Sequence, residues 1–204
     1  MNTCEYAGEE FAERRSHPWV DAKGNAACRY YDLTAEPERI RTSLEDFRPY
    51  DQFGAIDQFY QMLLSINRPS SAIESNDCAF TGPAINGHPS FPASLQCNGR
   101  VMILLRNIEL NTIEGNVQWL SNQLHRHLCV IDTTFQLGII GTTIVPVRYL
   151  ALPKINNQQL GSQLMISFWA FGNSTEETMK NLSRLFKNLS SALNDISILL
   201  TKMG

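Results

Sequence analysis

Val101-Met-Ile-Leu-Leu-Arg-Asn-Ile-Glu-Leu110 runs without a break into Asn111-Thr-Ile-Glu-Gly-Asn-Val-Gln-Trp-Leu-Ser-Asn-Gln-Leu-His-Arg-His-Leu-Cys-Val-Ile131, and the join between them decides the fold. The first ten residues are too short and too continuously apolar for a surface helix, which predicts a strand at or near the middle of a sheet. In the second piece Val117, Leu120, Leu124, Leu128 and Ile131 recur three or four residues apart, so a helix over 112–130 with one apolar stripe is expected. Asn111 is placed to cap it, with Glu114 reaching back as the third helical residue. From Phe135 to Leu150, Val, Ile, Thr and Tyr return the chain to strand. Gly138, Gly141 and Pro146 interrupt it, which implies two short strands or one bent strand with Pro146 at an edge or bulge.

Toward the C-terminus, 163–171 is a further strand, with Leu164, Ile166, Phe168 and Ala170 on one face and Met165, Trp169 and Phe171 on the other. Ser174 and Glu177 stand in capping-box relation ahead of Met179, Leu182, Leu185, Phe186, Leu189, Leu193, Ile196 and Leu200. That stripe predicts a helix over 174–201, with Lys180, Arg184 and Lys187 on its solvated face. Toward the N-terminus, Thr34 caps a helix over 34–47, and Asp51 caps another over 51–66 that Asn67 and Pro69 stop. A short helix is expected around 9–15. Residues 70–99 lose periodicity, with at most a short strand at 72–80, and so long an irregular stretch in a compact domain points to the functional surface. The sum is one α+β domain over 1–204: a mixed or antiparallel sheet of about four to six strands, in the manner of a split βαβ sandwich. The two long helices (112–130 and 174–201) lie on one face, with additional N-terminal helices.

With 204 residues, 43% hydrophobic and 18% charged, the chain suffices for one core. A formal charge of −3 gives no global drive toward nucleic acid or an anionic membrane, and neither is expected as a partner. The first thirty residues carry no signal-peptide pattern and nowhere do about 18 apolar residues run together, so the expected location is the cytoplasm. Five cysteines (Cys4, Cys28, Cys78, Cys97, Cys129), odd in number and irregularly spaced, fit reduced thiols. The sequons at Asn173, Asn181 and Asn188 are then incidental.

Two groupings have the residue types for chemistry. Cys78, with His88 and Asp77 in support and Glu74 nearby, could supply a nucleophile, a base and an orienting group, although no nucleophile-elbow signature surrounds the cysteine. A half-buried structural cysteine beside turn residues is the commoner meaning of such a grouping. His125 and Cys129 share a helix side at i and i+4, yet no second ligand pair stands at motif spacing, so a packed helix flank is the better reading and no metal or cofactor is expected. Charge is uneven: residues 1–50 hold ten acids against seven bases, while residues 151–204 hold three against five. The expected function is therefore an intracellular, non-catalytic protein-binding protein, an adaptor or a toxin-neutralising (immunity-type) protein. It would hold a basic protein partner through Glu36, Glu38, Glu45, Asp46, Glu74 and Asp77. The rival is a small enzyme using Cys78, His88 and Asp77. Apolar surplus on strands 101–110 and 163–171 leaves room for a homo-oligomer.

Overall fold

The structure, a computed structural model, describes residues 1–7, 11–12, 17–20, 26–31, 53–87, 90–149 and 160–203. In chain order the strands are β1 (Asn2–Ala7), β2 (Phe11–Ala12), β3 (His17–Val20), β4 (Ala26–Tyr31), β5 (Ile73–Phe80), β6 (Ala84–Ile85), β7 (Leu95–Leu105), β8 (Gly138–Arg148) and β9 (Leu160–Gly172). The helices are α1 (Ala55–Asn67), α2 (Glu114–Ile131) and α3 (Thr175–Met203). The fold is α+β. Its sheet has five strand positions in the order β1-β8-β9-β7-β5, with β2 continuing the β1 edge along β8 and β6 continuing the β5 edge along β7. All pairings are antiparallel except those of β1 and β2 with β8. β3 and β4 form a separate antiparallel ribbon, and β3 runs close to β5.

β7 and β8 run parallel to each other but are not neighbours, because β9 inserts between them antiparallel to both. With α2 as the connection this is a split βαβ unit, and β9 then leads into α3. Val101 to Leu105 are buried on both faces, as their continuous apolar run requires. Val101, Ile103, Ile140, Leu164, Ile166, Phe168 and Ala170 form one core with Ile56 and Phe59 of α1, Leu120 and Leu124 of α2, and Leu182 and Phe186 of α3. All three helices therefore cover one face. On the alternate face Met102, Leu104, Thr143, Val145 and Gln163 are also buried. Of the apolar residues of 101–105 and 164–171, Met165 and Trp169 are half-buried and the others are buried.

Several expected boundaries move, each for a local reason. The strand ends at Leu105 rather than Leu110, and Ile108–Thr112 form a 3-10 turn. Asn111 causes this: its buried side chain accepts from the Leu105 N–H at 2.9 Å and donates to the Leu105 carbonyl at 2.8 Å, closing the last rung against itself. Asn111 is consequently not the cap of α2, which starts at Glu114 behind Ile113 with no side-chain cap. β8 is one continuous strand through Gly141 and Pro146. Pro146 falls between the β1 pairing of Ile139 to Ile144 and the β2 pairing of Val147 and Arg148, where a missing N–H breaks no ladder. α1 begins at Ala55 after Gly54, whose φ of 74° suits glycine alone; Asp51 and the helix expected over 34–47 lie outside the described residues. Phe11 and Ala12 are strand, not helix, paired with Val147 and Arg148.

Within 70–99 the expected short strand at 72–80 is present, but more of the segment is regular than expected. β5 covers Ile73–Phe80 and β7 already begins at Leu95, leaving the stretch around β6 as the irregular part. α3 matches its expectation closely. The Ser174 hydroxyl accepts from the Glu177 N–H at 3.1 Å, and the Glu177 carboxylate accepts from the Asn173 N–H at 2.7 Å. β9 meets this turn so closely that a Cβ on Gly172 would stand 2.6 Å from the Thr178 nitrogen. Ser174→Ala should cost about 1 kcal/mol, read as a lowered midpoint in chemical denaturation; an unmoved midpoint would show that the cap contributes nothing.

Candidate functional site

The polar residues of β5 decide what the 70–99 segment can do. Glu74 is 2% exposed and sits opposite Leu104, with Arg106 Nη1 3.6 Å from its carboxylate. Arg106 also donates to the carbonyls of Ser71 at 2.7 Å, Arg68 at 3.0 Å and Asn67 at 3.2 Å, closing the C-terminal end of α1. One guanidinium thus serves as helix cap and as counter-charge to a carboxylate turned into the protein. Beside it the Asn67 amide donates to Ser75 Oγ at 2.8 Å and accepts from the Ser75 N–H at 3.1 Å. That grip falls where β5 bulges: Ser75 pairs with Ile103 and Asp77 with Met102, so Asn76 is an extra residue.

Of the residues expected to bind a partner, Glu74 is therefore built into the scaffold rather than exposed. Asp77 lies on the β5 edge strand, and Glu36, Glu38, Glu45 and Asp46 lie outside the described residues. Of the expected catalytic group, Cys78 is fully buried opposite Val101, Asp77 occupies the preceding ladder position, and His88 lies outside the described residues. Cys97 is also fully buried, with its sulfur 3.6 Å from that of Met179. Burial pushes its thiol up to about 12, far from a thiolate nucleophile at neutral pH.

The histidines of α2 are anchors. His125 Nε2 is 2.9 Å from Thr142 Oγ1, which meets Ser121 Oγ at 3.0 Å, and both hydroxyl residues are fully buried between α2 and β8. His127 approaches Asp195 of α3 at 3.7 Å, while Cys129 is exposed. Among the described residues no three His, Cys, Asp or Glu side chains are grouped to hold a metal ion.

The basic stripe of α3 is not uniformly solvated. Lys180 pairs with Glu176 along the helix. Arg184 makes a two-pronged contact with Asp132 at 2.6 and 2.7 Å, donates to Thr134 Oγ1 and lies 4.9 Å over the Phe135 ring. Hydrogen bonds from Arg184 chiefly, with Asn188 and Thr134, hold the Asp132 carboxyl well below the usual carboxylate range. This clamp fixes the α2–β8 connection onto α3. Asp132 and Arg184 lie about fifty residues apart, so no local pattern signals it. The sequence also missed the exposure of Ile85, 85% accessible on the short edge strand β6. No helix among the described residues is long and apolar enough to cross a membrane.

Alkylation of the native protein, followed by peptide mass mapping, should modify Cys129 long before Cys78 or Cys97. Cys78 reacting as fast as Cys129 would mean that β5 opens, and would restore it as a candidate nucleophile.

Comparison of the chain with family models, with curated proteins and with solved structures returns no match.

Proposed function

We propose that this is a non-catalytic protein-binding protein of the adaptor or toxin-neutralising kind, acting in the cytoplasm. It holds a basic protein partner along the edge formed by β5 and β6. Glu36, Glu38, Glu45, Asp46 and Asp77 supply the charge, and Ile85 supplies an apolar anchor. The observation that carries this reading is Ile85, a large β-branched side chain 85% exposed on a two-residue edge strand between Pro83 and Gly87. The exposed part of this edge is β6, since β3 lies close to β5, and an exposed edge strand carrying an apolar side chain is a recurrent place for a partner segment to add. The burial of Cys78 and Cys97 and the engagement of His125 by Thr142 favour binding over catalysis.

The reading is tested on a partner recovered by pull-down with the full chain. Binding of the unaltered chain should weaken as salt rises, through a slower on-rate; reversing Glu36 and Glu38 to Lys should weaken it roughly tenfold or more at low salt, a loss that shrinks as salt screens the charges. Ile85→Asp should also weaken binding. Reversing Lys180 and Lys187, which leaves the Arg184 clamp intact, should change affinity less than about twofold. A larger loss from the lysine pair than from the other two variants would place the interface on α3 and end this reading.

A further inference from the structure

We infer that the outer face of the last turns of α3 is a self-association surface whose occupant is the same face of a second copy of this chain. Along α3 the outward stripe begins charged, with Glu176, Lys180, Arg184 and Lys187, and turns apolar toward the end. Ile198 is 46% exposed, Leu199 36% and Met203 67%. Single exposed aliphatic side chains are ordinary, but three within two helical turns, on a helix whose inner face is already fully packed, form a patch.

The charges beside the patch name its occupant. Asp195, 53% exposed, precedes it and the exposed Lys202 follows it. At about 100° per residue, 195, 198, 199 and 202 fall within one arc of about 100° on the helix surface. Two copies of such a face related by a two-fold axis between residues 198 and 199 bring the helices together antiparallel. Each Asp195 then meets the partner's Lys202, and each Ile198 meets the partner's Leu199. The match occurs twice, as an isologous interface requires, with an acid against a base at both ends and aliphatic side chains between. A parallel arrangement would instead set Asp195 against itself. His127 of α2 stands 3.7 Å from Asp195, at the flank of this face. A contact of two turns is smaller than a standard stable interface, so the association is weak and concentration-dependent. It is separate from the β5–β6 edge and does not depend on the partner proposed there.

The test is sedimentation equilibrium of the full chain from micromolar to near-millimolar concentration, with circular dichroism confirming that each variant is folded. The weight-average mass should rise from 23.0 kDa toward twice that value. Leu199→Asp should abolish the rise. Asp195→Lys should shift the midpoint at least roughly tenfold upward, and adding Lys202→Asp to it should bring the midpoint back, because the swapped charges again meet as opposites. A mass constant at 23.0 kDa overturns the inference, whether the patch is then idle or serves a different partner. So does a rise insensitive to Leu199→Asp, or a charge swap that fails to restore what Asp195→Lys removed.

Discussion

Phe186 is the side chain on which the layers of this protein close. It projects from the middle of α3 to within 4.9 Å of the Phe59 ring on α1 and 5.0 Å of the Phe168 ring on β9, meeting the latter nearly edge to face at 79°. Phe59 and Phe168 complete the triangle at 6.5 Å, and all three rings are fully buried. Such pairs add directional preference to the burial of a large apolar area, so the triangle fixes orientation as well as adhesion. β9 is flanked by β7 and β8, and α3 is flanked by α1 and α2. Everything else in the described core is therefore one step from this contact.

Around that centre, polar side chains terminate and join the elements. Asn111 closes the end of β7, Arg106 and Asn67 tie the end of α1 to β5, Thr142 and Ser121 dock α2 on β8, and Arg184 clamps Asp132 at the end of α2. Asn111, Asn67, Thr142 and Ser121 satisfy groups that burial would otherwise leave costly, whereas Arg184 and Asp132 pair at the surface. The consequence for function is direct. Residues that look chemically capable in isolation, such as Glu74, His125 and Arg184, are engaged in structure. Among the described residues, exposed large apolar side chains include Ile85 at the sheet edge, Val130 on α2 and Ile198, Leu199 and Met203 on the last turns of α3.

What the sequence revealed and what it hid follow from the range of the interactions involved. The alternation of β9, the stripe and cap of α3, the stripe of α2 and the split βαβ arrangement are local or periodic, and were legible. β5 was legible only as a short strand within an irregular stretch, because Glu74, Ser75 and Asp77 are polar residues that break its pattern. Glu74 and Ser75 are tolerated in a strand only because Arg106 and Asn67 arrive from elsewhere to meet them. The same blindness made 101–110 look uniformly strand, since an Asn reaching back six residues to turn the chain leaves no period. It also made the Arg184 stripe look solvated. As for the site, sequence gave charge totals and residue types but not direction: Glu74 points inward, and the exposure of Ile85 and of Ile198, Leu199 and Met203 depends on which faces the fold leaves uncovered.

The dependence of the whole core on the Phe186 contact is tested most directly by the stability of Phe186→Ala, measured by equilibrium denaturation followed both by far-ultraviolet circular dichroism and by tryptophan fluorescence. The variant should lose about 3–5 kcal/mol, the cost of truncating a fully buried Phe, with the two signals changing together. A loss below about 1 kcal/mol, the cost of an ordinary point substitution, would contradict the account and show that sheet and helices are held by contacts elsewhere.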